Sequence, residues 1–175
     1  MIVHREDPLR ILKILKWPDP FLSLIPEVVT VFDDALEEDL RNMFVTMYAD
    51  NGIGLAANQV GIDKSMFVMD TSISGDKRQV YINPEIISKS DAIQDFVEGC
   101  LSFPGGSVTM KRSMKLTVNA VDEKNVPFTK ELQGLDAICF QHEFDHLCGT
   151  TFADHLSPLK KQMLQKKMIK FSRKK

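Results

Sequence analysis

The chain has 175 residues, of which 43% are hydrophobic and 26% charged, with a formal net charge of −2. That length fits one domain able to bury about 70% of its unfolded surface, and the composition excludes collagen, coiled coil and intrinsic disorder. The longest apolar runs fall far short of the roughly 18 residues a membrane span needs. Glu6 and Asp7 precede any apolar run, so the start resembles neither a secretory signal nor an acid-free transit peptide. Three cysteines cannot all pair within one chain. The expectation is a reducing cytoplasm, with no membrane and no DNA partner.

Residues 33–50, DDALEEDLRNMFVTMYAD, carry a helical period. Leu36, Leu40, Met43, Phe44 and Met47 fall on one stripe, Asp33 or Asp34 caps the start, and Asn51-Gly52 ends the helix. Short β-type stretches follow at 66–69, 80–82, 93–97, 116–121 and 126–132, rich in β-branched and aromatic residues with turn residues between them. The last two read as an antiparallel hairpin across Glu123-Lys124-Asn125, and Pro127 makes the second strand an edge or a bulge. Residues 134–147 return to helical spacing and stop at Gly149. A final helix opens at Ser157-Pro158 and runs to about residue 171. Helices and strands segregate rather than alternate, which predicts an α+β fold.

Chemistry concentrates at 142–146, His-Glu-Phe-Asp-His. Positions four apart share a helix face, so His142 and His146 can chelate one metal ion. Glu143, one step round the helix, can reach a water on that metal without binding the metal itself, which suits metal-assisted hydrolysis. Such a site needs a third protein ligand. Ten residues after His142, where one known extension of this motif places a third histidine, stands Phe152, and no glutamate follows Glu143. Asp154 and His155 remain as downstream candidates. Upstream, Cys100 sits in Glu98-Gly99-Cys100-Leu101-Ser102-Phe103-Pro104 after a predicted strand, where a rigid turn could hold a thiolate. Cys139, on the apolar face of the histidine helix, and Cys148, at its end, read as small buried hydrophobes. The Gly- and Ala-rich segment 51–61 permits close backbone approach to a ligand, and its Gln59 offers an amide donor suited to a developing oxyanion.

Three segments in order, GIGLAANQ at 52–59, EGCLS at 98–102 and QHEFDH at 141–146, resemble the peptide deformylase family. That resemblance implies a metallohydrolase removing the formyl group from formylmethionine of nascent chains. It implies strands packed around the central HExxH helix, flanked in sequence by an N-terminal and a C-terminal helix. Cys100, His142 and His146 are its implied metal ligands. Glu143 is the implied general base and acid, with the Gln59 amide and the Leu101 N–H as oxyanion donors. Fe²⁺ is the implied ion, with Zn²⁺, Ni²⁺ or Co²⁺ able to take its place. Leu135, Ile138 and Cys139 share a helix face with the histidines. With Ile53 and Phe96 they match the family's methionine pocket, while Gly54, Glu98 and Gly99 border the peptide. Two departures stand out: Asn58 replaces a usual proline, and the arginine that many relatives carry near Ser107 is missing. Arg112 matches a commonly basic position and is expected to be structural.

Alternative functions of the same residues are a metallopeptidase cutting internal amides and a catalytically silent binder of nascent chain ends. Residues 160–175 hold eight Lys/Arg and no Asp/Glu. Removing eight from 22 basic residues leaves 14 against 24 acids, so residues 1–159 carry about −10. The expected organisation is one catalytic domain over 1–159 with a basic helical tail over 160–175. A cationic tail on an enzyme of nascent chains could touch ribosomal RNA.

Overall fold

A computed structural model describes residues 9–173. The N-terminal segment through Pro8, including Glu6 and Asp7, and the last two lysines of the tail lie outside the described residues. Helix α1 spans Asp34–Ala49, and the Asp33 side chain accepts from the Leu36 N–H, a cap worth about 1 kcal/mol. The expected stripe is the buried one. Leu36, Leu40, Met43 and Met47 pack against Leu55, Met66, Val68 and Ile82.

Strands β1 (Gly54–Ala56), β2 (Met66–Met69), β3 (Gln79–Lys89), β6 (Lys115–Val121) and β7 (Pro127–Gln133) form an antiparallel sheet in the order β1-β2-β3-β6-β7. Strands β4 (Ile93–Gly99) and β5 (Ser107–Ser113) pair separately as a two-stranded sheet. Helices α2 (Leu135–Leu147) and α3 (Pro158–Ser172) complete the elements. Among the described residues, no helix is long and apolar enough to cross a membrane.

Strand β2 explains the layering. Its four residues are all buried because Met66 and Val68 face α1 while Phe67 and Met69 face α2. A strand covered on both faces reads as an unbroken apolar run. On the α2 side, Phe140 meets Phe67 and Tyr81 edge-on at 5.1 and 5.0 Å between ring centroids. This aromatic packing fixes the roll of the histidine helix against the sheet.

Three sequence expectations change. Strand β3 is much longer than the 80–82 stretch. Asn83 (φ 49°) and Pro84 mimic a strand end, but the register instead slips between Ile82 and Glu85 as a bulge. The Asn83 side chain secures that bulge by accepting from Val29 N–H and donating to Val29 C=O. Strands β1 and β5 have no counterpart among the predicted stretches. Cys148, expected in the core, caps the exposed end of α2. Pro127 opens the edge strand β7, as the hairpin reading requires. Helix α3 buries Leu164 and Met168 against Phe103, Met110 and Phe152.

Candidate metal centre

Helix α2 and the end of β4 bring the donors together. Ligand atoms of Cys100, His142 and His146 all lie within 4.8 Å of one another. Cys100 Sγ lies 3.3 Å from His146 Nε2. One sulfur and two imidazole groups form a donor set that could hold a divalent metal ion. Asp154 and His155 stand apart from this cluster. Asp154 accepts from the Thr151 N–H and hydroxyl, and His155 is exposed.

Behind the donors lies a buried ionic network. His142 Nδ1–H donates to Glu98 Oε2 at 2.8 Å, which directs Nε2 toward the other donors. Arg112 donates to both Glu98 oxygens, at 2.6 and 2.9 Å, and to Asp145 Oδ2 at 2.6 Å. Burial acts to raise the Glu98 pKa, but hydrogen bonds from Arg112 and His142 outweigh it and hold the carboxyl below its ordinary value. Burial likewise disfavours the Arg112 charge, and Glu98 and Asp145 more than compensate. Arg112 thus ties β5 to β4 and α2. Glu98 borders the cavity, yet its carboxylate is engaged by Arg112 and His142.

Glu143 is buried beside the cluster. Burial pushes its pKa up to about 7, against the opposing positive field of His142. Its Oε2 has no hydrogen-bond partner among the described residues, and neither does His146 Nδ1 nor Asn58 Oδ1. Buried polar atoms are almost always satisfied, and Glu143 borders the cavity, so its orphan oxygen points to a group the polypeptide does not supply. Gly54 makes room there. A β-carbon at Gly54 would lie 2.3 Å from Glu143 Oε1 and 2.8 Å from Cys139 Sγ.

The Gln59 amide is held in one orientation. Its Oε1 accepts from the Ala56 N–H at 2.9 Å, so Nε2 turns to Cys100 Sγ at 3.4 Å and Ser102 Oγ at 3.1 Å. Leu101 follows Cys100 in the same turn, and Lys16 Nζ donates to its carbonyl at 2.7 Å. A cavity of about 580 Å³ joins these groups. Ile53, Gly54, Phe96, Gly99, Leu135, Ile138 and Cys139 also border it.

Sequence reasoning missed three contributors. Gln141 pins α2 to β5 by accepting from Ser113 N–H and donating to Ser113 C=O, and its place beside His142 in the motif was the available signal. Ser102 positions the Gln59 amide. Asn58 donates to the His146 carbonyl at 2.6 Å, joining the Gly-rich segment to the last turn of α2.

A Cys-His-His cluster able to hold a divalent metal, beside a buried carboxylate in an α+β domain, fits the class of metal-dependent hydrolases. The family model of polypeptide deformylase matches residues 11–162. Peptide deformylase of Pseudomonas aeruginosa is 44% identical over 160 residues, covering 91% of this chain and 95% of that protein. That of Chromobacterium violaceum is 45% identical over 160 residues, with the same coverage. The crystal structure of a peptide deformylase from Legionella pneumophila superimposes with a TM-score of 0.88 at 44% identity, covering 94% of this chain and 96% of that one. The chain belongs to the polypeptide deformylase family and removes the N-formyl group of nascent peptides. Its Cys-His-His cluster accommodates a divalent metal.

Proposed function

We propose that Cys100, His142 and His146 hold one divalent ion, Fe²⁺ in a reducing cytoplasm, and that Glu143 carries the proton in hydrolysis of the formyl amide. The observation that carries this reading is the convergence of three donor atoms within 4.8 Å beside a buried, partnerless carboxylate oxygen. Zn²⁺, Ni²⁺ and Co²⁺ suit the same donor set. Bound there, a divalent ion acts as a Lewis acid and lowers the pKa of a coordinated water toward neutrality.

The polypeptide's own part follows from its groups. Glu143, with a pKa near the working pH, accepts a proton from the attacking water and returns it to the departing amine nitrogen. Gln59 Nε2 and the Leu101 N–H donate to the formyl oxygen as negative charge develops on it. The methionine side chain enters the apolar part of the cavity between Ile53, Phe96, Leu135, Ile138 and Cys139. Backbone atoms at Gly54 and Gly99 align the peptide.

The test is formate release from formyl-Met-Ala by protein loaded with Fe²⁺ or Ni²⁺. Release by the wild-type chain, lost in Glu143→Gln at full metal occupancy, supports the assignment. Equal rates in the two proteins overturn it.

Within this reading, residues 1–159 carry the catalytic groups and the lysines of α3 contact ribosomal RNA. Lys160, Lys166, Lys167 and Lys170 are exposed, while Leu164 and Met168 of the same helix are buried. Replacing Lys166, Lys167 and Lys170 by Glu should weaken ribosome co-sedimentation at low salt without removing the buried residues. Unchanged co-sedimentation refutes the contact.

A further inference from the structure

Helix α3 does more than cover the third core cluster. Its Phe171 lies on the wall of the same cavity that contains Cys100, Glu143 and Gln59. Two glycines allow this approach. A β-carbon at Gly105 would meet the Phe171 ring at 2.7 Å, and one at Gly106 would meet Leu164 Cδ1 at 2.7 Å. Gly105 also adopts φ 72°, a conformation that disfavours any side chain. The turn after Cys100 is therefore bare along this side, and α3 lies directly against it.

We propose that Phe171 is a specificity-determining wall of the peptide cleft, contacting the second or third residue of the substrate and favouring apolar side chains there. This rests on the deformylase reading of the site. With the formyl group at the donor cluster and methionine among the apolar residues of α2, the rest of the peptide must leave along another part of the cavity rim. Pro104, Gly105 and Gly106 form one such stretch, and the two glycines offer a passing peptide no side chain. The aromatic ring set against them does. Phe171 remains 38% exposed, so apolar surface is left for a ligand to cover.

The experiment compares wild type, Phe171→Ala and Phe171→Leu as metal-loaded full-length proteins. Formyl-Met peptides with Ala, Leu or Phe at the second and, separately, the third position serve as substrates. Phe171→Ala should raise KM about 5- to 10-fold for peptides bearing Leu or Phe at one of these positions. Turnover and the KM for all-Ala peptides should stay within about twofold, and Phe171→Leu should fall between. Binding of the products Met-Phe-Ala, Met-Ala-Phe and Met-Ala-Ala, measured by calorimetry, should show the same loss, confined to the product with Phe at the contacted position. That arm reads Phe171 even if formate release fails, an outcome that would count against the catalytic reading instead. A uniform change across all peptides, or no change, overturns the proposal, and a general fall in turnover assigns Phe171 to holding α3 in place.

Discussion

Glu98 and His142 stand 44 positions apart in sequence, yet the Nδ1–H of one meets the Oε2 of the other at 2.8 Å. This contact sets the tautomer and ring orientation of a proposed ligand, and Arg112 keeps the carboxylate charged. Replacing Glu98 by Gln removes the charge that both partners use. Metal affinity should fall about 10- to 100-fold, read by competition with a chelator, and thermal stability should fall with it.

Glu143→Gln keeps the volume of a buried side chain and removes only its ability to move a proton. Formate release should drop by about 10²- to 10⁴-fold while metal content and melting temperature hold. Loss of metal from this variant would instead assign Glu143 to the coordination shell.

At Gly54 a single methyl group should separate folding from catalysis. The atoms it would strike are the far ends of Glu143 and Cys139, side chains that can turn aside. Gly54→Ala should therefore fold, with circular dichroism like wild type, and lose most of its turnover because Glu143 is displaced.

Asn58 carries a hydrogen bond that proline at this position could not make. Its side chain donates to the carbonyl of His146 in a fully buried setting. Asn58→Ala removes this bond while the Gly149 N–H still reaches the carbonyl, and should cost about 0.5–1.5 kcal/mol in denaturant unfolding.

Asp70 supplies a pH dependence away from the metal centre. Burial acts to raise its pKa, but hydrogen bonds from Ser72 and Tyr48 prevail and hold it below 3.8. A folded pKa below the unfolded one stabilises the protein above about pH 3.9, and that contribution is lost as pH falls through the folded value. Asp70→Asn should therefore flatten the acid limb of a plot of melting temperature against pH between about 2 and 6.

Much of the fold was legible because its signals are local. Helix α1 declares itself through Asp33 and the Leu36–Met47 stripe, and α2 through His142 and His146 four positions apart. The donors' convergence required a third segment whose place in space no periodicity reveals; the order of motifs supplied it. Strand β5 escaped notice because Ser107–Ser113 buries only Met110 and Arg112, and Arg112 is buried only because Glu98 and Asp145 neutralise it. Such long-range ionic pairing leaves no local pattern. Cys148 misled for the opposite reason: next to the buried Leu147, it falls where α2 ends and turns outward.

The two sheets have no hydrogen-bonded strand neighbours in common. Cys100 follows the last strand residue of the small sheet, while both histidines ride on the helix that packs against the large one. An ion held by the proposed ligands would clasp one sheet to the other. Opening of the β4–β5 hairpin would then obey mass action, harder by about 2.7 kcal/mol when free ion stands a hundredfold above its dissociation constant. The rigidity of this enzyme would thus track the metal supply of the cell around it.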